Sequence, residues 1–447
     1  MATLVTPEKI RDLQRALYMR AKKEPKFRFY ALYDKVYRVD VLEHAYRLAR
    51  ANGGAPGPDG VTFEQIEQVG PTVMLEELHD ALKTKTYRPG PVRRVYIPKL
   101  SGGERPLGIP NIRDRVVQTA AKLVLEPIFE ADFDPDSYGF RPKRDAHQAL
   151  AAIKEALDQG MYWVIDADLA SYFDTIPHDR LMKAVAERVA DGSMLALVKM
   201  FLEAPIVDER DGGRPRRNSL GTPQGGVISP LLANIYLNLL DRNFRRRKAA
   251  GEVQGRLVRY ADDLVVLSPK PPDATLQWMQ SLLQRIGLSL NPDKTKVKMM
   301  VENERFDFLS YQHRRWRGRL FLDIADKAHR RTKDEIRRIT RCTWLSLDAL
   351  VEELNAYIRG ARDYFRRVRR RTLSKLDFFV EVRVARWWSR KHSRPKPAWW
   401  LVQKGALWRQ HGLERWTSRD TSDQPNQGAQ RERRGKPYAG NPHVRFE

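Results

Sequence analysis

"LVRYADDLVVLS" (residues 257–268) sets two adjacent carboxylates, Asp262 and Asp263, inside an otherwise apolar stretch. A buried ionised carboxylate is costly unless it is paired or coordinates a metal, and a like-charged neighbour adds to the cost. The pair therefore either lies on an exposed turn and carries no chemistry, or holds a cation. A second apolar strand, "YWVIDADLASYFD" (162–174), carries Asp168 at its end, with Asp166 two residues earlier on the same face as a rival. Set side by side in one sheet, these strands would gather oxygen donors suited to divalent cations. Two such cations can clamp the attacking and leaving oxygens of a phosphoryl transfer.

The whole chain narrows the choice. Its 447 residues carry a formal net charge of +25, which attracts polyanions, nucleic acid first among them. A basic membrane-surface protein is the competing class, but no run reaches the 18 or more apolar residues of a membrane helix, and the N-terminus lacks the apolar core of a signal peptide. Cys342 is the only cysteine, which excludes an intrachain disulfide and a cysteine-based zinc site and fits a reducing cytosol. The charge is uneven. Residues 301–400 hold 26 Lys and Arg against 13 Asp and Glu, and eight of the ten tryptophans follow residue 310. Arg with Trp suits phosphates and base stacking; a solvated arginine face over a tryptophan core is the alternative.

Along the chain, "IRDLQRALYMRAKK" and "VDVLEHAYRLARANGG" read as helices, the second stopped by Gly53 and Gly54, and residues 62–86 are again helical. "GPVRRVYIPKLSGGERPLGIP" reads as a hairpin around Gly102 and Gly103, flanked by Lys99 and Arg105, cations able to meet a triphosphate. "DRVVQTAAKLVLEPIFEADF" is a helix that Pro127 is expected to interrupt. "GTPQGG" (221–226) is a Gly/Pro turn feeding a helix near Ser229 and Pro230; its glycines allow a close backbone approach, and Gln224 can bond a base or sugar edge. "GRLVRYADDLVVLS" reads strand–turn–strand, further strands run to about residue 322, and residues 325–415 are helical.

Together these segments resemble the reverse transcriptases of the group II intron maturase type, over roughly residues 35–400. "YADD" (260–263) and "DLASYFD" (168–174) match the two metal motifs, and "GTPQGGVISPLLANIYLN" (221–238) a third diagnostic segment. "RPLGIPNIRDRVVQ" and "SYGFRPKRDAHQAL" match fingers segments, and "GGAPGPDGV" the N-terminal extension. The resemblance implies an α+β right-hand polymerase: an N-terminal helical extension (1–60), fingers and palm with an antiparallel sheet (61–322), a helical thumb and maturase domain (323–417) and a basic flexible tail (418–447).

It also implies roles. Asp168, Asp262, Asp263 and the Leu169 carbonyl would hold two Mg²⁺ ions, with Mn²⁺ able to substitute. Lys99, Arg105, Phe173, Gln224, Gly225 and Lys294 would bind the nucleotide, Phe173 as the gate against a 2′-hydroxyl and Lys294 as a proton donor to pyrophosphate. "FDFLSY" (306–311) matches the primer grip (Phe308, Leu309, Ser310, Tyr311), with Ser310 where the family has glycine. Arg366, Arg367, Arg369 and Arg370 would bind RNA. The implied partners are group II intron RNA, an RNA template, a DNA primer or target and dNTPs, with no membrane, as a monomer or dimer in a bacterial cytosol, associated with the nucleoid when on DNA. With one cysteine and no room after residue 420, the chain reads as the endonuclease-lacking kind, which would need another source of primer, such as a nascent DNA strand at a replication fork. The implied activity is copying intron RNA into DNA during retrohoming, with assistance to splicing. A non-catalytic RNA-binding splicing factor, or a domesticated enzyme of phage defence, CRISPR spacer acquisition or DNA repair, are the competing readings.

Overall fold

Ten strands form among the described residues of the computed structural model, 4–98 and 103–418: β1 (Val92–Pro98), β2 (Glu104–Ile109), β3 (Trp163–Asp168), β4 (Ile206–Asp208), β5 (Arg256–Tyr260), β6 (Asp263–Ser268), β7 (Lys296–Met299), β8 (Arg305–Phe308), β9 (Tyr311–Trp316) and β10 (Arg319–Ile324). The chain divides into two compact units that part between Met299 and Met300. The sequence draws its boundary later, at residue 322; the β8–β10 sheet groups instead with the helices that follow it. No helix among the described residues is long and apolar enough to cross a membrane.

In the first unit a four-stranded sheet, ordered β5-β6-β3-β7, is antiparallel throughout. Its central strands are apolar on both faces, with Val164, Ile165, Val265 and Val266 fully buried. Helix Ala146–Asp158, opened by the Asp145/Gln148 capping box, packs on β5 and β6. Helix Ser229–Ala249 starts where the Gly/Pro turn ends, with proline in its first turn, and buries an apolar run from Leu231 to Leu240 in the same core. A smaller sheet, ordered β2-β1-β4, joins the hairpin to a short parallel strand.

Pro127 does not interrupt its helix, which runs unbroken over Ile112–Glu130. A proline removes the donor to the carbonyl four residues back, here that of Leu123. Gln14 Nε2, from helix Glu8–Lys23, donates to that carbonyl at 3.1 Å, so the lost bond is replaced across the helix pair.

The second unit carries the antiparallel sheet β10-β9-β8 and helices Asp326–Ile339, Leu347–Tyr364 and Arg370–Lys391. Leu350, Leu354, Ile358, Val380, Val384 and Trp387 fill its interior. The tail read from the sequence over 418–447 lies, beyond Ser418, outside the described residues.

Candidate active site

The antiparallel register of β3 and β6 sets Asp168 directly opposite Asp263. Residues so paired have Cβ atoms roughly 4.5–5.5 Å apart on one face of the sheet, where like charges are destabilising. Asp262 occupies the turn just before β6, after Ala261, whose φ of 56° lies in the left-handed region. Both aspartates of the turn are partly exposed. The strand ends thus gather carboxylates whose mutual repulsion a cation would relieve.

Lys294 Nζ lies 3.1 Å from Asp168 Oδ2, an exposed contact. Asp166, the rival, shares the face of Asp168 but stands opposite Val265 on one side and Lys296 on the other, so its register partner is a cation and not a second carboxylate. Among the described residues no group of three or more His, Cys, Asp or Glu is arranged to hold a metal ion by itself. A hard cation such as Mg²⁺ keeps several waters and needs only one or two carboxylates plus substrate phosphates, and Asp168 and Asp263 face each other as such a pair. The donor set, oxygen only and open, therefore fits a divalent cation. Leu169, whose carbonyl the resemblance assigns to the metal, is buried and bridges Leu290, while Asn291 N donates to the Asp168 carbonyl at 2.7 Å.

Phe173 lies in the short helix Tyr172–Thr175, which follows Ser171 in a left-handed conformation (φ 46°). Its ring is half-buried, edge-on to Tyr172 at 5.5 Å and to Phe140 at 6.4 Å. The "GTPQGG" loop is pinned to this segment: Thr222 N donates to the Phe173 carbonyl at 2.7 Å, and Gly221 N to the Ile176 carbonyl at 2.9 Å. A Cβ on Gly221 would lie 2.5 Å from the Phe173 carbonyl oxygen. At the loop's other end Gly108 N, on β2, donates to the Gln224 carbonyl at 2.5 Å, and a Cβ on Gly225 (φ 109°) would meet the Gly108 oxygen at 2.4 Å. The glycines are required because the loop is threaded between two backbones.

A cavity of about 360 Å³ opens beside the loop, lined by Arg94, Gly108, Asp174, Thr222 and Gln224 among others. None of Asp168, Asp262 and Asp263 lines it. Arg105 sits partly exposed on β2 opposite Ile97; Lys99, its partner in the sequence reading, lies outside the described residues.

The remaining candidates belong to the second unit. Phe308 and Tyr311 close the β8–β9 hairpin, and the two turn residues between them, Leu309 and Ser310, both have positive φ, 49° and 63°. Such a primed turn favours glycine or asparagine, so Ser310 in place of glycine carries strain. The strain is held by bonds: Tyr364 Oη donates to the Leu309 carbonyl at 2.8 Å, Ala325 N to the Ser310 carbonyl at 3.0 Å, and Tyr311 Oη to the Tyr364 carbonyl. Arg366, Arg367 and Arg370 are exposed, whereas Arg369 is partly buried in an ion pair with Asp323 and lies over the Phe321 ring at 5.1 Å.

Arg259, just before "YADD", escaped the sequence reading. An arginine inside an apolar strand was the visible signal, and it is fully buried.

Comparison with known proteins matches a family model described as reverse transcriptase (RNA-dependent DNA polymerase) to residues 97–313, and one described as group II intron, maturase-specific domain to residues 329–408. Protein YkfC of Escherichia coli (strain K12) is 38% identical over 347 residues, 69% of this chain and 90% of YkfC. Group II intron-encoded protein LtrA of Lactococcus lactis subsp. cremoris is 37% identical over 222 residues, 48% of this chain but 35% of LtrA, so the match spans about a third of that protein. Among solved structures, a telomerase from Candida albicans in complex with a telomeric RNA fragment aligns over 67% of this chain and 59% of its own, at a TM-score of 0.42 and 13% identity.

Proposed function

The chain belongs to the reverse transcriptases of the group II intron type, RNA-directed DNA polymerases with a maturase domain, and from that membership we propose that it copies intron RNA into DNA during retrohoming and assists the intron's splicing. The observation that carries the catalytic part is the direct opposition of Asp168 and Asp263 with Asp262 at the adjoining turn. Reverse transcriptases use divalent metal ions; here Asp168, Asp262, Asp263 and the Leu169 carbonyl would hold two Mg²⁺ or Mn²⁺ ions. When bound, these would polarise the reacting phosphate and stabilise the charge that develops on it.

The chain's own groups do the rest. Phe173 crowds the 2′ position of the incoming sugar, Gln224 and Gly225 meet the nucleotide through the rigid loop, and Lys99 and Arg105 neutralise its phosphates. Lys294, in contact with Asp168, gives a proton to the departing pyrophosphate. The β8–β9 turn grips the primer end, and the exposed arginines of the helical unit bind intron RNA.

Asp262→Asn tests the assignment. Primer extension on an RNA template should fall by at least about a thousandfold, since several kcal/mol of transition-state stabilisation is lost, while filter-bound RNA affinity stays near wild type. Residual synthesis near the wild-type rate would end the metal assignment. Phe173→Ala tests the gate: catalytic efficiency for a ribonucleotide should rise relative to its deoxyribonucleotide. If that ratio stays put while stability drops by about 3–5 kcal/mol, Phe173 is a core aromatic and the gate is wrong.

A further inference from the structure

We infer that Arg259, together with Asp241, Asn234 and Gly139, is a positioning device that fixes the peptide carrying Asp262 into the metal site; the inference rests on the role proposed for Asp262. Arg259 is fully buried on β5. Its Nε lies 2.9 and 3.1 Å from the two Asp241 oxygens, and its Nη2 lies 2.6 Å from Asp241 Oδ2. Its Nη1 donates to Asn234 Oδ1 at 2.8 Å and to the Ala261 carbonyl at 3.0 Å.

That last bond is what links the network to chemistry. The Ala261 carbonyl belongs to the same peptide plane as the amide nitrogen of Asp262, so holding the one orients the other. Ala261 also needs holding, because it is a non-glycine residue at φ 56°, a conformation that persists only where the surroundings over-determine it.

The opposite side of the turn is gripped by the same web. Asn234 Nδ2 donates to the Gly139 carbonyl at 2.8 Å, and a Cβ on Gly139 would lie 2.3 Å from Ala261 N. Gly139 thus presses its bare backbone against Ala261, while Arg259 draws on the Ala261 carbonyl. Both grips run through one asparagine on helix Ser229–Ala249, and Asp241 is on that helix too. A buried ion pair is weak evidence for stability, since apolar residues of similar volume often serve as well. What an apolar pair could not do is donate to the Ala261 carbonyl with a rigid, planar fork.

The test is a titration of Mg²⁺ in primer extension on an RNA template, with melting curves, for Gly139→Ala, Asn234→Ala and Asp241→Asn. Outer-shell partners of a metal ligand typically change metal affinity by about 10–100-fold when removed, so the half-saturating Mg²⁺ concentration should rise at least about tenfold in each, with the KM for dNTP near wild type. Gly139→Ala keeps every charge and hydrogen-bonding side chain, so it and Asn234→Ala decide the question if Asp241→Asn does not fold. Val124→Ala, a core truncation in helix Ile112–Glu130, supplies a destabilised control that should titrate like wild type. If Mg²⁺ demand simply follows melting temperature across all variants, the control included, or if Gly139→Ala titrates like wild type, the network is structural only. Asp262→Asn run in parallel separates the failures. An active Asp262→Asn removes the premise, whereas an inactive one beside an unperturbed Gly139→Ala removes only the positioning role.

Discussion

The two units use arginine in opposite ways. Residues 4–299 bury Arg115, Arg141, Arg188 and Arg259, at 8, 8, 4 and 0% exposure, and the described part of the second unit buries none. The buried ones act as staples for chain that has no ladder of its own. Arg115 reaches the carbonyls of Gly53, Ala55 and Pro110 and so ties down the "GGAPGPDG" loop. Arg141 bonds the carbonyls of Asp134 and Ser137 and pairs with Glu130. Arg188 donates to the carbonyls of Ala21, Glu24 and Pro25. In the second unit, arginines such as Arg366, Arg367 and Arg370 face solvent. A net charge of +25 therefore mixes two populations, and only the exposed one can exchange counterions for phosphates.

The sharpest way to break this contrast is a matched pair of substitutions. Arg188→Met withdraws the guanidinium from the Ala21 and Pro25 carbonyls, and from that of Glu24, which keeps Phe27 N as a donor; it also removes the nearest cation of Asp132, 3.1 Å from Arg188 Nε, whose carboxyl burial already pushes above the usual range. The cost should be roughly 3–5 kcal/mol. Arg366→Met, on the surface, should stay within about 0.5 kcal/mol. Denaturant titration of both variants measures this; equal midpoints would show that the buried arginine is not a staple.

The same contrast marks what sequence can show. The "YADD" hairpin, the helix start at "SPLLAN" and the Gly53 stop were legible because each is set by residues within a few positions: apolar runs, caps and turn chemistry. The carboxylates were legible as types, since two charges in an apolar strand demand a reason. Their opposition in β3 and β6 was not, because register is settled by the whole sheet. Arg259 looked like one more basic residue among many; its value lies in Asp241, Asn234 and Gly139, up to 120 positions away. Pro127 misled for the same reason, as its rescue comes from Gln14. Arg369 likewise read as one of four equal arginines, because Asp323 is remote in sequence.

Arg369 also supplies the finest test of the contrast, because it sits among exposed neighbours yet is engaged like a buried one. Its guanidinium pairs with Asp323, stacks near Phe321, and its backbone N donates to the Leu322 carbonyl at 3.1 Å. Arg370 opens helix Arg370–Lys391, whose first turn has no acidic residue. A cation at a helix N-terminus opposes the macrodipole, so the fold gains nothing by keeping it there. If exposure decides which arginines meet RNA, neutralising Arg366, Arg367 and Arg370 to Gln should reduce the slope of log affinity against log salt by roughly 0.7–0.9 for each phosphate no longer neutralised. Arg369→Gln alone should leave that slope unchanged and instead lower stability by about 1 kcal/mol, the scale of a partly exposed pair. Salt-dependent filter binding to a structured RNA, with a melting curve for each variant, separates the two. A triple variant with an unaltered slope would reduce these arginines to a solvated face, and a slope change on Arg369→Gln would show that its pair with Asp323 opens to meet RNA.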